Sequence, residues 1–242
     1  KPINLSNRTL RRVFNRGSFE MGGRFYGGWW QNIPSAYRSV ITINGYRTVE
    51  ADYSQFHPNI LYLLKQAKLT GEDAYERILG SEHRDLSKQI FNACLNSSYE
   101  TDRPPKGMKI SHTGFKWREI KERLRKAHPQ IEDAFFTDQG MRLQFYDSQM
   151  AELVMLAFAK DKKPILPVHD SFIMHYAYGE LGELEEEMRR SFYGHFKKDI
   201  NVKSEIGIML PSSFDGKEWN DLTFEEQING PPEYSQWEDR NS

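Results

Sequence analysis

Two β-rich runs meet at an Asn-Gly pair and end in a carboxylate, and this stretch restricts the fold more than any other. It reads SVITINGYRTVEAD over residues 39–52, with Asn44 and Gly45 between the runs. Asn-Gly between β-rich runs is a strong signal for a type I′ hairpin, because both central residues of that turn need a positive φ. The pattern predicts two antiparallel strands over residues 38–53, and the second strand delivers Asp52.

Asp52 is followed at once by a helical pattern, FHPNILYLL at 56–64, which predicts a helix from Pro58 to about Ala67. A charge at the end of a buried strand is costly unless something cationic lies beside it. Two interpretations of Asp52 therefore stay open. It caps the following helix, or it binds a metal ion.

The remaining pattern alternates helices with short β-rich runs. Helices are predicted at 81–96, with Ser81 as N-cap, and at 115–127, 129–138, 147–160 and 179–196; strands are predicted at 164–178, broken at His169-Asp170, and at Val202–Leu210. Strands that cluster in this way with helices between them are typical of an α+β fold, in which a small antiparallel sheet is backed by helices.

The apolar runs predict no membrane-spanning segment, and the cysteine count indicates a reducing compartment. The longest apolar run among the 242 residues, Leu153–Ala159, is too short to cross a bilayer. The single cysteine, Cys94, cannot form an internal disulfide, so we expect the cytoplasm or the nucleoid. No secretory signal opens the chain, which begins at Lys1, and we expect it to be a piece of something longer.

The net charge of −1 conceals an uneven distribution. Residues 1–50 and residues 83–128 each carry a net charge of +6, whereas residues 179–242 carry −8. Two basic stretches in a nearly neutral chain suggest a polyanionic partner, although solvated helix faces are an alternative.

Two carboxylates and two cations are the candidate chemical groups. Asp52 and Asp170 both lie at the ends of predicted strands, and such a pair suits Mg²⁺, with Mn²⁺ as an alternative. Two ions of this kind can serve an in-line phosphoryl displacement. Arg84 and Lys88 are four residues apart on a predicted helix, so they share a face that could bind a triphosphate or simply face solvent.

Five motifs then occur in one order along the chain. They are GGRFYGGWWQNIP at 22–34, VEADYSQ at 49–55, RDLSK at 84–88, VHDSF at 168–172 and SEIGI at 204–208. This series resembles the palm and fingers of the A-family DNA polymerases. The HDSF form of the fourth motif is closer to the phage-type single-subunit RNA polymerases, which share that palm.

The resemblance implies roles for individual residues. Asp52 and Asp170 would be the catalytic carboxylates that bind metal, with the Tyr53 carbonyl assisting, and Arg84 and Lys88 would hold the incoming triphosphate. The positions implied along the template–primer track are Arg24, Gln31, Asn32, Arg142, Gln149 and His169. Simpler structural roles remain open for some of these, since Gln31 and Asn32 could only cap a turn and His169 could be a hydrogen-bonded core histidine.

The chain also departs from the family pattern. The gating Glu of the first aspartate motif is His57 here, and the aromatic and Tyr-Gly positions of the fingers helix fall on Asn92 and Asn96. The acidic residue after the second aspartate is Ser171. Too few residues precede the Gln-Asn-Ile-Pro sequence for the family's thumb or exonuclease, so we expect a partner or a preceding region to replace the thumb.

The sequence therefore predicts a compact DNA polymerase that extends a primer 3′ end on a DNA template with dNTPs and releases pyrophosphate. We expect an irregular basic segment at 1–35, a palm at 36–57 and 139–210, reduced fingers at 58–138, and an acidic flexible tail at 211–242. A primase or RNA polymerase on the same palm, a silent nucleic-acid-binding subunit and a metal nuclease are the alternatives.

Overall fold

The structure, a computed structural model, describes residues 5–69, 71, 73–176 and 182–207. The strands are β1 (Arg11–Asn15), β2 (Ser18–Tyr26), β3 (Thr42–Ile43), β4 (Tyr46–Tyr53), β5 (Ile165–Val168), β6 (Ser171–His175) and β7 (Val202–Ile206). The helices are α1 (Phe56–Leu64), α2 (Glu76–Leu79), α3 (Arg84–Asn96), α4 (Trp117–Ala127), α5 (Gly140–Lys160) and α6 (Glu183–Phe196).

A five-stranded sheet is built around β4. Its order is β3-β4-β6-β5, and β7 pairs with β4 along the side that β6 leaves open. Every pair in this sheet is antiparallel. The predicted α+β class, an antiparallel sheet combined with helices, is confirmed.

The Asn-Gly hairpin forms as the sequence predicts. Asn44 and Gly45 have φ values of 53° and 84°, and Ile43 pairs with Tyr46 across the turn. Two positive φ values in a two-residue loop are the mark of a type I′ turn. This turn sets the register of β4 and thereby the position of Asp52 within the strand.

The N-terminal segment contains a two-stranded sheet that the sequence did not predict. Residues 11–26, predicted to be irregular, form the two-stranded sheet β1-β2, which turns at Arg16 and Gly17 with positive φ at both. Gly22 and Gly23 also have positive φ inside β2. Positive φ in a strand interrupts the alternation of side chains, so the period-two signal is lost from the sequence.

Several helix boundaries also differ from the predicted ones. The helix α3 begins at Arg84, behind a 3-10 turn at Ser81–His83, and its N-cap is His83 instead of Ser81. Residues Pro129–Ala134 form a 3-10 helix and not a longer α-helix. The first residues of the helix predicted at 179–196, the end of the strand predicted to Leu210, and the tail at 211–242 lie outside the described residues.

The chain divides into two compact units. One consists of Lys1–Val13, Arg24–Ser54 and Ser148–Ser242 and holds the five-stranded sheet with α6; the other consists of Phe14–Gly23 and Gln55–Asp147 and is mainly helical. In the first unit Trp30, Ile33, Ile41 and Ile173 form a buried cluster. The second has a core of large buried side chains, among them Tyr62, Ile78, Ile90, Phe91, Leu95, Ile120 and Leu124.

In the ranges that the structure describes, no helix combines the length and the apolar character that crossing a bilayer demands.

Candidate functional site

A tight turn places Asp170 at the end of the sheet. Val168 pairs with Ser171, so His169 and Asp170 form the two-residue turn between β5 and β6. His169 has φ 60°, a left-handed conformation that costs a non-glycine residue on the order of 1–3 kcal/mol. Strain of this kind is concentrated at functional sites, where surrounding contacts hold it in place.

The register of β4 and β6 brings the two aspartates side by side. Asp52 pairs directly with Ser171, the residue after Asp170, and the backbone N–H of Tyr53 donates to the carbonyl of Asp170 over 3.4 Å. Asp52 is exposed and Asp170 is half-buried. Both aspartates therefore lie at one end of the sheet, and the Asp52 side chain is open to water and ligands.

The start of helix α1 tests whether Asp52 caps that helix. The N-cap of α1 is Gln55, three residues further on, and Gln55 has the left-handed φ of 52°. Asp52 itself lies within β4 and pairs on both sides. The interpretation of Asp52 as a helix cap is therefore wrong.

A third carboxylate, which the sequence reasoning missed, lies beside this pair. Glu50 precedes Asp52 by two residues on β4, so both side chains face the same side of the sheet. Arg38 binds Glu50 through Nε and Nη2, both at 3.1 Å, and the Ser171 hydroxyl donates to Glu50 at 3.0 Å. The alternation of β4 could have indicated Glu50, whereas its partners depend on contacts between distant parts of the chain.

His169 lies in an aromatic and cationic environment. Its ring makes an edge contact with Tyr26, with 5.5 Å between the ring centroids. Burial lowers the pKa of His169, and the charge of Arg24 lowers it further, while Asp170 acts in the opposite direction. His169 is therefore mainly neutral at pH 7, able to donate one hydrogen bond and accept another.

Gln31 and Asn32 bind the backbone around them. The Gln31 amide donates to the carbonyls of Phe25 and Pro167 at 2.9 Å each, and its oxygen accepts from Gly27. Asn32 donates to the Gly28 carbonyl at 3.3 Å. Gln31 thereby ties the GGRFYGGWWQNIP segment to β5, the strand that leads into the His169-Asp170 turn.

The donor set at this end of the sheet fits a hard divalent cation. Carboxylate oxygens from Asp52 and Asp170 and a nearby backbone carbonyl, that of Tyr53, are the ligands that Mg²⁺ prefers. Among the described residues no three His, Cys, Asp or Glu side chains gather as a closed metal cluster. An open pair of carboxylates suits Mg²⁺, which usually keeps waters and substrate phosphates as its other ligands.

In the helical unit, Arg84 and Lys88 occupy the first two turns of α3. Arg84 donates to Asp73 through Nη2 at 2.8 Å and Nε at 3.3 Å, and this hydrogen bond raises the pKa of Arg84. Asp73 also accepts from the Tyr75 N–H at the start of α2. Lys88 is exposed, and no carboxylate in the described ranges pairs with it. The two cations thus differ, because Arg84 already has an anionic partner.

The other predicted contact residues of this unit lie on three helices. His57 is half-buried in the first turn of α1, and Arg142 is exposed on α5. The Asn96 amide donates to the Asn92 carbonyl at 2.7 Å near the end of α3. A Cβ at Gly140 would stand 1.6 Å from the Asn96 oxygen, so Gly140 leaves room for that side chain.

One predicted contact residue on α5 belongs to the other unit. Gln149 is half-buried on α5, within the sheet-containing unit.

Comparison with known proteins found one structural similarity that can be described. No protein-family model matches the chain, and a search of curated proteins found no match. Among solved structures the chain is similar to the POL domain of Pol1 from M. smegmatis, in a complex with DNA primer-template and dNTP, with 16% sequence identity and a TM-score of 0.48. The likeness covers 78% of this chain and 46% of that chain, so this chain spans less than half of that protein's length.

Proposed function

We propose that this chain is a template-directed nucleotidyltransferase, a DNA polymerase that extends a primer 3′ end with dNTPs. The observation that carries the proposal is the register of β4 and β6. It joins two motifs almost 120 residues apart in the sequence, because Asp52 pairs with the residue that follows Asp170. Both motifs also belong to the ordered series that resembles the A-family DNA polymerases.

In the proposed reaction the primer 3′ hydroxyl gives up its proton to solvent, and its oxygen forms a bond to the α-phosphorus of a dNTP. The bond from that phosphorus to the β-phosphate oxygen breaks, and pyrophosphate leaves. Asp52, Asp170 and the Tyr53 carbonyl would hold Mg²⁺, with Mn²⁺ as an alternative. When bound, two such ions would neutralise the charge that develops on the attacking oxygen and on the leaving oxygen. His169 would approach the primer terminus, and Arg24, Gln31 and Asn32 would lie along the template–primer track. Lys88 and Arg84 would bind the triphosphate.

The sugar preference is proposed to depend on His57. In the resembled polymerases a Glu at this position, near a Tyr of the fingers helix, leaves no room for a ribose 2′-OH. The imidazole of His57 has the bulk to fill that space, while Asn96 is smaller than Tyr. Crowding out a hydroxyl discriminates more strongly than merely failing to bind it. His57→Ala should therefore raise incorporation of NTPs relative to dNTPs.

Primer extension on a defined template tests the proposal, with dNTPs and NTPs offered separately in the presence of Mg²⁺. Asp52→Ala and Asp170→Ala should each abolish extension. Asp199→Ala, which removes an exposed carboxylate from the same unit, is the matched control and should retain extension. Circular dichroism and urea unfolding establish that each variant is folded.

Each alternative function predicts a different result. Preferred use of NTPs would indicate a primase or RNA polymerase on the same palm. Duplex binding without extension would indicate a silent subunit, and degradation of DNA without added nucleotide would indicate a nuclease. Near wild-type extension by a folded Asp52→Ala or Asp170→Ala variant would contradict the assignment of the two carboxylates.

A further inference from the structure

A lysine lies directly opposite Asp52, on the side of β4 away from Asp170. The register of β4 and β7 pairs Asp52 with Lys203. Residues paired in this way in an antiparallel sheet project from the same face, with Cβ atoms about 5 Å apart. Asp52 thus has Ser171 as its cross-strand neighbour on one side and Lys203 on the other.

The Lys203 ammonium is available to a ligand. The side chain is exposed, and no carboxylate in the part of the chain that the structure describes forms an ion pair with it. Arg38, another cation near this face, is already bound to Glu50 by two contacts of 3.1 Å. Lys203 is therefore a cation beside Asp52 that can bind an added anion without breaking an ion pair in the described part of the chain.

We propose that Lys203 binds a phosphate group of the substrate beside Asp52. The inference rests on the proposed function, which brings polyphosphate chemistry to this end of the sheet. The lysine ammonium is a compact, strongly hydrated charge on a flexible side chain, and it can therefore bind a phosphate oxygen without a fixed geometry. The phosphate belongs either to the polynucleotide backbone or to the nucleotide, and the two sources can be separated by experiment.

A simpler role for Lys203 needs to be separated from this one. Charged side chains on an edge strand discourage pairing with other molecules, and lysine is common in that role. Among the described strands β7 pairs with β4 alone, so Lys203 stands on such an edge. Protection of an edge needs a charge of either sign, whereas phosphate binding needs a positive charge. Reversing the sign therefore distinguishes the two roles.

The test compares four variants of the full chain, one of which, Lys203→Ala, removes the charge. Lys203→Glu reverses the charge, Lys203→Arg keeps it, and Lys198→Glu makes the same reversal at an exposed lysine of the same unit that lies outside β7. One measurement is the Kd of a primer–template duplex by fluorescence anisotropy at several salt concentrations. The other is the KM for dNTP in single-nucleotide extension at saturating duplex.

We expect Lys203→Glu to raise one of these constants by at least tenfold, while Lys203→Arg stays within threefold of wild type and Lys198→Glu changes neither. A rise in Kd, with a salt slope reduced by about one, assigns the phosphate to the polynucleotide. A rise in KM alone assigns it to the nucleotide.

Three results would overturn the inference. If Lys203→Glu matches wild type or Lys198→Glu in both constants while the wild-type protein extends primers, Lys203 binds no phosphate and only this inference fails. If the wild-type protein binds neither duplex nor dNTP, the proposed function fails with it. Higher-order association of Lys203→Ala, with normal behaviour of Lys203→Glu, would assign Lys203 to edge protection.

Discussion

At the scale of single residues, the most informative group outside the sheet is a buried histidine. His128 is fully buried in the helical unit, where Nε2 donates to the Ala74 carbonyl at 2.9 Å and Nδ1 accepts from the Tyr62 hydroxyl at 3.0 Å. The carbonyl can only accept, so the ring carries its proton on Nε2. Burial lowers the pKa of His128 to about 4, which keeps the ring neutral at pH 7.

This arrangement predicts a pH dependence of stability. A histidine in the unfolded chain has a pKa near 6.5, so on acidification the unfolded state takes up a proton before the folded state does. The stabilisation is complete above pH 6.5 and is lost as the pH falls towards 4, to a total of about 3 kcal/mol. Urea unfolding at pH 7.5, 6 and 5 measures this loss.

His128→Gln is the variant that isolates the effect, because glutamine can donate and accept without titrating in this range. The free energy of unfolding should fall less steeply between pH 6.5 and 4.5 in His128→Gln than in wild type. His112→Gln changes an exposed histidine and should keep the wild-type slope. Equal slopes for wild type and His128→Gln would show that His128 does not titrate as described.

Arg84 and Lys88 should respond differently to truncation. Arg84→Ala removes the partner of Asp73 and should lower the free energy of unfolding by about 1 kcal/mol. Lys88→Ala removes an exposed side chain and should leave stability within about 0.5 kcal/mol of wild type.

The same variant tests the proposed role of Lys88 in nucleotide binding. If Lys88 binds the triphosphate, its loss should raise the KM for dNTP at least tenfold with little change in duplex affinity. Equal weakening of duplex and nucleotide binding would mark Lys88 as a backbone contact.

At the scale of elements, the end of β7 is held by a close approach of backbone. The Gly207 N–H donates to the Thr48 carbonyl, and a Cβ at Gly207 would stand 2.6 Å from the Ser39 carbonyl oxygen and 2.9 Å from that of Thr48. Backbone atoms cannot move aside as a flexible side chain can. Glycine is therefore required at the point where β7 meets the start of β4.

Gly207→Ala should destabilise the protein by about 1–3 kcal/mol, since overpacking a fitted site has that cost. A Cβ added at Gly194, in α6, would have no other atom within 4 Å, and Gly194→Ala should stabilise by about 0.4–1 kcal/mol through helix propensity and reduced unfolded-state entropy. Chemical denaturation of both variants measures the opposite signs. A neutral Gly207→Ala would mean that β7 shifts to accommodate the methyl group.

The elements also show what sequence reasoning can and cannot reach. The Asn44-Gly45 hairpin and the two short strands around His169-Asp170 were predictable, because local turn chemistry and β-rich runs specify them. The β1-β2 hairpin was missed, because positive φ at Gly22 and Gly23 interrupts its alternation. Ser81 is a good N-cap residue by type, yet α3 begins three residues later, behind a 3-10 turn.

Much of the candidate site depends on pairing that no local pattern encodes. The two aspartates could be named from their motifs, and their adjacency is consistent with that prediction. Lys203 could not be found in this way, because its place beside Asp52 follows only from the register of β7 on β4. The Asp73 partner of Arg84 was equally hidden, since Asp73 lies in a connecting segment without periodicity.

At the scale of the whole molecule, the two basic stretches determine how strongly the affinity for a nucleic-acid duplex depends on salt. Residues 1–50 and 83–128 each carry a net charge of +6. Each phosphate neutralised by Lys or Arg releases counterions, so the logarithm of the association constant should fall with the logarithm of salt concentration by about 0.9 per contact. We expect duplex affinity to be strongly salt-dependent and synthesis by this chain alone to be poorly processive.

Single-hit primer extension with a heparin trap measures this directly. At about 150 mM salt we expect the chain to add few nucleotides per binding event, with longer products at about 30 mM salt, where screening is weaker. A partner or a preceding region that supplies additional grip would restore long products. Long products at the higher salt from this chain alone would contradict the prediction.

The strand order has a consequence for how the protein comes to be made. The central strand β4 is complete by residue 53, but its neighbours β6 and β7 begin at residues 171 and 202. During synthesis β4 therefore leaves the ribosome with both of these partners still to be translated. At about 5–20 residues per second, the wait for β7 lasts on the order of ten seconds. Until β6 and β7 emerge, most of β4 has unpaired edges, which makes the nascent chain a natural client for chaperones.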